Sequence, residues 1–200
     1  YGPEFFDARH NVSISGVYEL PFGRGHQYAS NVNRFTDEAI GGWKVGTIMS
    51  FHTGFPITIA SNAYYSATVN ARAARGNHLR PLKIVGRTET QWFGTDASVQ
   101  GCASDTDDGV CAYSEQSSTS FGDAAVGSER APNYKQIDLS LSKDFAVTEG
   151  SYFEFRSDLL NAFNMVSLAP PANNVSSGLG QITSAVNEPR NIQLALKYVF

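Results

Sequence analysis

The sequence predicts an all-β fold of about five long antiparallel strands. The last ten residues alternate regularly, and one face carries only apolar or aromatic side chains: Ile192, Leu194, Leu196, Tyr198 and Phe200. A period of two is typical of a β-strand with one apolar face. Similar alternation recurs in four earlier segments, and the connections between these segments are alternately long and short. Alternation, strand length and connection length together define the predicted fold class.

Strand length indicates strands that cross a membrane. The final strand is predicted over 191–200. A tilted transmembrane strand needs about 9–11 residues, whereas a strand of a globular domain has about 5–6. We therefore interpret residues 1–200 as a partial outer-membrane β-barrel, the C-terminal segment of a barrel with long extracellular loops.

The first half of the chain supplies two of the strands. Residues 8–20 alternate, and a turn at 21–25 follows from its Pro and Gly residues. A short helical piece is predicted over 36–40. The second strand begins at Gly42, and its apolar face starts with Trp43. Aromatic residues in such positions are typical of the belts at membrane interfaces, so we predict that Trp43, Tyr198 and Phe200 are interface or assembly residues.

The second half supplies a predicted hairpin before the final strand. Its strands are predicted over 134–145 and 151–163, joined by a short turn at 146–150. Lys143 interrupts the apolar face of the first of these strands. The opposite face carries charged side chains that we expect to line the lumen and to pair across strands with Asp144 or Lys197: Asp138, Glu154, Arg156 and Asp158. We interpret this set as a structural charge ladder in the barrel wall.

The long segment 61–132 is predicted to be a loop. It is rich in small and polar residues and shows no sustained periodicity. It contains both cysteines of the chain, Cys102 and Cys111, which favours a disulfide and an oxidising compartment. If the C-terminus is periplasmic, all long connections fall outside the cell, as in outer-membrane barrels.

Composition gives no indication of an enzyme or of a nucleic-acid partner. The net charge is −4, and the 15 Lys and Arg residues are scattered. The four histidines have no metal-type spacing, so no cofactor and no catalytic residue is predicted. The acidic run Asp105, Asp107 and Asp108 is a minority candidate for loop calcium, although its spacing does not fit an EF-hand. A solvated loop is the favoured interpretation.

Seven motifs, in order, resemble a known family. They are FDARH at 6–10, YELPFGRG at 18–25, GGW at 41–43, TGFP at 53–56, DLSLSK at 138–143, FRSDLLNAFN at 155–164 and GQITSA at 180–185. Together they resemble the C-terminal barrel region of TonB-dependent receptors of the Oar-like type, which carry a carboxypeptidase-regulatory-like domain. The resemblance implies substrate binding and uptake at the outer membrane, with TonB engaged through an N-terminal part that this chain lacks. It also implies that Phe200 is recognised by the barrel-assembly machinery.

Two alternatives remain open at the level of the sequence. Receptors of this kind have about 22 strands around a plug, so we expect the chain, which starts at Tyr1, to be part of something longer. The partner would be the rest of a larger barrel chain or further copies of itself. A processed fragment could instead assemble into a surface or extracellular filament by strand pairing. A soluble secreted β-sheet binding module is the third interpretation, and strand length argues against it.

Overall fold

A computed structural model describes residues 2–62, 74–100, 102 and 104–200. The chain forms two compact units. The sheet unit comprises Asn11–Phe51, Lys135–Val166 and Asn187–Phe200, and the loop unit comprises Tyr1–His10, His52–Tyr134 and Ser167–Val186. In chain order the elements are β1 (Asn11–Glu19), α1 (Arg34–Ile40), β2 (Lys44–His52), β3 (Pro56–Ile57), β4 (Asn77–His78), β5 (Tyr113–Ser114), β6 (Glu129–Arg130), β7 (Tyr134–Thr148), β8 (Ser151–Leu160) and β9 (Asn191–Val199).

The five predicted long strands form one antiparallel sheet in the order β1-β2-β7-β8-β9. The predicted all-β fold, with long antiparallel strands of a partial barrel, is confirmed. The sheet is open in the described part of the chain, with β1 and β9 at its two edges. Every residue of β1 is exposed, as is every residue of β9 except Val199. The two edge strands of this sheet therefore have no covering layer among the described residues.

The register of the last three strands gathers most of their apolar side chains on one face. Leu139 lies opposite Leu159, which lies opposite Ile192. A second row at the other end of the hairpin joins Phe145, Phe153 and Tyr198. Because the side-chain period is two, a slip by one residue would move every apolar side chain to the polar face. The only irregularity in these two described ladders is a bulge between Ala146 and Thr148, next to the hairpin turn.

The helical piece predicted over 36–40 is α1, which begins two residues earlier, at Arg34, because Asn33 caps it. The Asn33 side chain accepts a hydrogen bond from the Thr36 backbone N–H at 2.8 Å. At the other end, the Gly41 N–H donates to the Asp37 carbonyl at 2.8 Å. The helix is thus bounded at both ends by specific hydrogen bonds.

The long connection predicted as a loop is irregular, but together with the connection before β9 it forms a hydrophobic core that was not predicted. Its two small sheets pair β3 with β6 and β4 with β5, and a 3-10 turn covers Ala97–Val99. The apolar side chains that it buries are Ile57, Ile59, Phe93, Val99, Ala112, Tyr113, Ala124, Ala131, Val175 and Leu179. These residues are spread over two connections without a period, so no pattern in the sequence marks them. Residues 63–73 of the predicted loop lie outside the described residues.

None of the helices in the described residues is long and apolar enough to cross a bilayer.

Gly54 is required where the chain enters β3. A Cβ atom at this position would lie 1.7 Å from the Ala131 carbonyl oxygen, which belongs to the backbone and cannot rotate away. The Gly54 N–H also donates to Asn133 Oδ1 at 3.0 Å. The two chain segments therefore approach more closely than any side chain allows.

We predict that Gly54→Ala destabilises the protein by about 1–3 kcal/mol or more, as overpacking does. Thermal unfolding of the detergent-solubilised chain measures the effect. Gly16→Ala is the matched control because a Cβ there meets nothing within 4 Å. Equal unfolding temperatures of the two variants would contradict the close approach at Gly54.

Candidate functional site

One end of the sheet unit carries an aromatic belt, defined here as Trp43, Phe145, Phe153, Phe155, Tyr198 and Phe200. The Trp43 ring meets Phe145 and Phe155 edge-on, with centroids 6.3 and 6.0 Å apart. The Phe153 and Tyr198 rings lie 4.9 Å apart, and Phe200 stacks on Tyr198 at 5.8 Å. The structure thus gathers the three predicted interface residues, Trp43, Tyr198 and Phe200, into one group. Phe200 is 95% exposed, as a residue that meets lipid or another protein would be.

Lys143 lies among the aromatic side chains but is only 3% exposed. Its Nζ lies 5.0 Å from the Phe145 ring centroid, within the range of a cation–π contact. The Nζ also donates to the backbone carbonyls of Glu38 and Gly41 at the C-terminal end of α1. In the sequence Lys143 only interrupts the apolar face, and nothing near it indicates these contacts.

The contacts of Lys143 follow from the physical chemistry of both partners. The last carbonyls of a helix have no intrahelical donor and carry partial negative charge, so a lysine stabilises them. Trp43 Nε1 donates to a third carbonyl, that of Ala39, at 2.9 Å. A cation on the lipid-facing side of a barrel is costly at the bilayer midplane and tolerated only near an interface. The C-terminal end of α1 therefore covers the charge that would otherwise meet lipid.

We predict that Lys143→Met loosens α1. Two carbonyls lose a hydrogen bond from a charged donor, and each such bond contributes about 1.5–3 kcal/mol. Hydrogen exchange of the Arg34–Ile40 amides should become faster. Lys197→Met, on the exposed strand β9, should leave this exchange unchanged. Exchange in α1 that is identical in both variants would show that Lys143 does not hold the helix.

The predicted charge ladder lies on the polar face of the sheet. Glu154 lies directly opposite Lys197 on β9 and opposite Asp144 on β7. Asp144 itself forms an ion pair with Lys44 at 3.6 Å, and both side chains are about half exposed. Such exposed pairs contribute little to stability, about 0–1 kcal/mol. These charges therefore set the polarity of the face more than they stabilise the sheet.

The other members of the ladder differ from the expected cross-strand pairing. Arg156 Nε donates to both carboxylate oxygens of Asp158 along the same strand, at 3.0 and 2.9 Å. Asp138 accepts from the Gln136 amide and from the Asn161 backbone N–H, the latter at 2.7 Å. Residues two apart on a strand share a face, so a long arginine reaches its neighbour without crossing to the next strand.

The predicted disulfide between Cys102 and Cys111 is present. Both cysteines are buried in the loop unit. Arg80 holds the bridged loop from outside: its guanidinium donates to the Cys111 carbonyl and to both oxygens of Asp107, at 2.5 and 2.7 Å. This bidentate pair lowers the pKa of Asp107. Arg80 was not predicted, because a partner 27 residues away leaves no local signal.

The acidic residues of the bridged loop bind the protein's own donors. Asp108 accepts from the Val110 and Cys111 N–H groups at 2.7 and 2.8 Å, which lowers its pKa. Asp105, Asp107 and Asp108 are not brought together as a metal-type group in the described part of the chain. The one such group there joins Asp108 to Cys102 and Cys111, whose sulfurs are bonded to each other. The calcium hypothesis gains no support from this geometry.

The loop unit also buries a titratable pair. The Tyr113 hydroxyl donates to Glu129 Oε1 at 2.9 Å. Burial raises the pKa of Tyr113 to about 12 and also raises the pKa of Glu129. The imidazole of His78 packs against the Tyr113 ring at 5.2 Å. Tyr113 is thus a neutral donor that ties β5 to β6.

We predict that Glu129 makes the loop unit less stable at higher pH. Its folded-state pKa lies above the ordinary value of 4.5, so its contribution to stability is complete below that value and is lost as the pH rises through the folded-state pKa. Glu129→Gln keeps the acceptor and should flatten the pH dependence of the unfolding temperature. Glu89→Gln, at an exposed position, should not. If the unfolding temperature of Glu129→Gln depends on pH as steeply as that of the unmodified protein, Glu129 is not the cause of the pH dependence.

A cleft of about 390 Å³ lies in the loop unit. Polar side chains predominate on its walls, and three of them are glutamines: Gln91, Gln100 and Gln181. A second cleft of the same volume is lined largely by proline and apolar side chains, among them Pro56 and Pro171. Neither cleft was predicted, because both are built from segments that are distant in the sequence.

The comparisons with known proteins agree with the sheet. Residues 1–193 match the family described as outer membrane beta barrel domain. This chain belongs to that family, and its place is the outer membrane. No match was found among curated proteins or among solved structures.

Proposed function

We propose that the chain is part of a TonB-dependent receptor-like barrel that binds a substrate and takes part in its uptake, and that it is not an enzyme. Membership of the outer-membrane barrel family supports the barrel part of this proposal. The ordered motifs from FDARH at 6–10 to GQITSA at 180–185 support the receptor part by their resemblance to Oar-like proteins. The long connections have a buried core, and a rigid scaffold suits loops that bind ligands.

The observation that carries the proposal is the pair of exposed edges on β1 and β9. In hydrocarbon every backbone N–H and C=O group needs a partner, so an open sheet cannot stay open in a bilayer. Strands from the rest of a larger barrel chain are the partners we propose for these edges. TonB would act through an N-terminal part of that larger chain, and the barrel-assembly machinery would recognise Phe200.

Self-assembly is the second candidate, and the same exposed edges favour it. Strand addition between copies satisfies an edge as well as intramolecular pairing does. If the rotation that relates successive copies does not close, the assembly is a filament instead of a ring.

The native molecule distinguishes the two candidates. We expect an antibody against this region to detect, in the membrane fraction, a chain much larger than 21.7 kDa that forms crosslinks with TonB in living cells. Recovery of a 21.7 kDa chain in large assemblies without detergent would overturn the receptor proposal and favour self-assembly. A large membrane-bound chain without TonB crosslinks would be consistent with a barrel but would refute energised uptake.

A further inference from the structure

We propose that the glutamine-lined cleft of the loop unit is a binding site for a neutral, hydroxyl-rich ligand, that is, a segment of a glycan. The proposal deepens the proposed function, on which it rests, by naming the substrate class. The cleft volume of about 390 Å³ lies within the range of about 300–1,000 Å³ that is usual for small-ligand sites.

The two central glutamines are held in place by backbone pairing. Gln91 and Gln181 are opposite residues of an antiparallel bridge. The bridge is flanked by hydrogen bonds from Trp92 N–H to the Gly180 carbonyl at 2.8 Å and from Ile182 N–H to the Thr90 carbonyl at 3.0 Å. Directly opposite residues project to the same side of such a pair. Both amide groups therefore reach the same wall of the cleft.

Two glycines allow these amides to lie close to the backbone. A Cβ at Gly178 would come within 2.4 Å of Gln181 Oε1, and a Cβ at Gly180 would come within 3.1 Å of Gln91 Oε1. Both glycines have positive φ, at +64° and +83°, a conformation that other residues rarely adopt. The local backbone is thus shaped around the two glutamine side chains.

The hydrogen-bonding capacity of the cleft matches hydroxyl groups. A primary amide offers both donors and an acceptor, and a hydroxyl group likewise donates and accepts. Gln91 Oε1 is buried and has no hydrogen-bond partner among the described residues. Leaving such an acceptor unpaired is unfavourable, and a rotation of the Gln91 amide that turns this oxygen into the cleft would let a ligand hydroxyl supply the missing donor. Val99 and Leu179 add apolar surface for the C–H groups of a sugar ring.

The charge of the cleft excludes an anion. Asp96 lines it, and the backbone N–H of Ser98 donates to Asp96 Oδ1 at 2.9 Å. This hydrogen bond lowers the pKa of Asp96, which keeps its carboxylate ionised. No lysine, arginine or histidine is among the described residues that line the cleft. A cationic ligand would satisfy Asp96 but would leave the amide donors of the glutamines unused, so a neutral polyol is the better match.

Saturation-transfer NMR on the complete detergent-solubilised chain tests the proposal. The probes are maltose, cellobiose and lactose, with galacturonic acid as the anionic comparison and triglycine as the peptide comparison. We expect transfer to at least one neutral disaccharide and none to the two comparison ligands. Transfer to none of the disaccharides, or stronger transfer to galacturonic acid or triglycine, would overturn the proposal.

Substitutions locate the binding. Gln91→Leu removes the unpartnered acceptor and should lower the affinity at least about tenfold, as the loss of hydrogen bonds to a ligand does. Gln27→Leu is the matched control, at an exposed glutamine of the sheet unit. Gln100→Ala serves if Gln91→Leu fails to fold, because Gln100 is an exposed residue. Equal affinity of the cleft variants and the control would place the ligand elsewhere and refute the site.

This experiment needs neither TonB nor a membrane potential. Its failure would therefore remove the glycan site and leave uptake by a barrel untouched. Conversely, glycan binding without TonB crosslinks in cells would keep the site and remove energised transport.

Discussion

The requirement that backbone polar groups be paired inside hydrocarbon governs the sheet unit. Strand β8 pairs on both sides, and its ladders run without a break from Leu139 to Ala146 along β7 and from Asn191 to Val199 along β9. The register in turn fixes which side chains meet lipid. The aromatic rows, the polar face and the position of Lys143 all follow from it.

Lys143 illustrates how a local exception is accommodated. Its strand would place an ammonium group between Phe155 and the aromatic ring of Phe145, on the face that carries Leu139 and Leu141. The charge is stabilised because α1 ends against it and offers the carbonyls of Glu38 and Gly41. The short helix therefore has a definite role in the wall, and the Asn33 cap fixes the start of this seven-residue helix.

The sequence predicts the sheet well and the loop unit poorly, for a physical reason. Alternation is a local signal, so Ile192 to Tyr198 identify β9 and Phe153 to Leu159 identify β8 without knowledge of their partners. The pairing of Arg80 with Asp107, or of Gln91 with Gln181, depends on contacts between distant segments. The periodicity of the sequence does not indicate such contacts. Of the candidate site residues, the cysteine pair was predictable because its nine-residue separation is short.

The buried disulfide ties the maturation of the loop unit to the cell's compartments. Cys111 is completely buried and Cys102 nearly so, which places the bridge inside the packed part of the loop unit. Reducing conditions in the cytoplasm keep thiols free, whereas the periplasm oxidises them. The loop unit can therefore complete its packing only after export, so the order of biogenesis is export, oxidation and then final packing of the segments around the bridge.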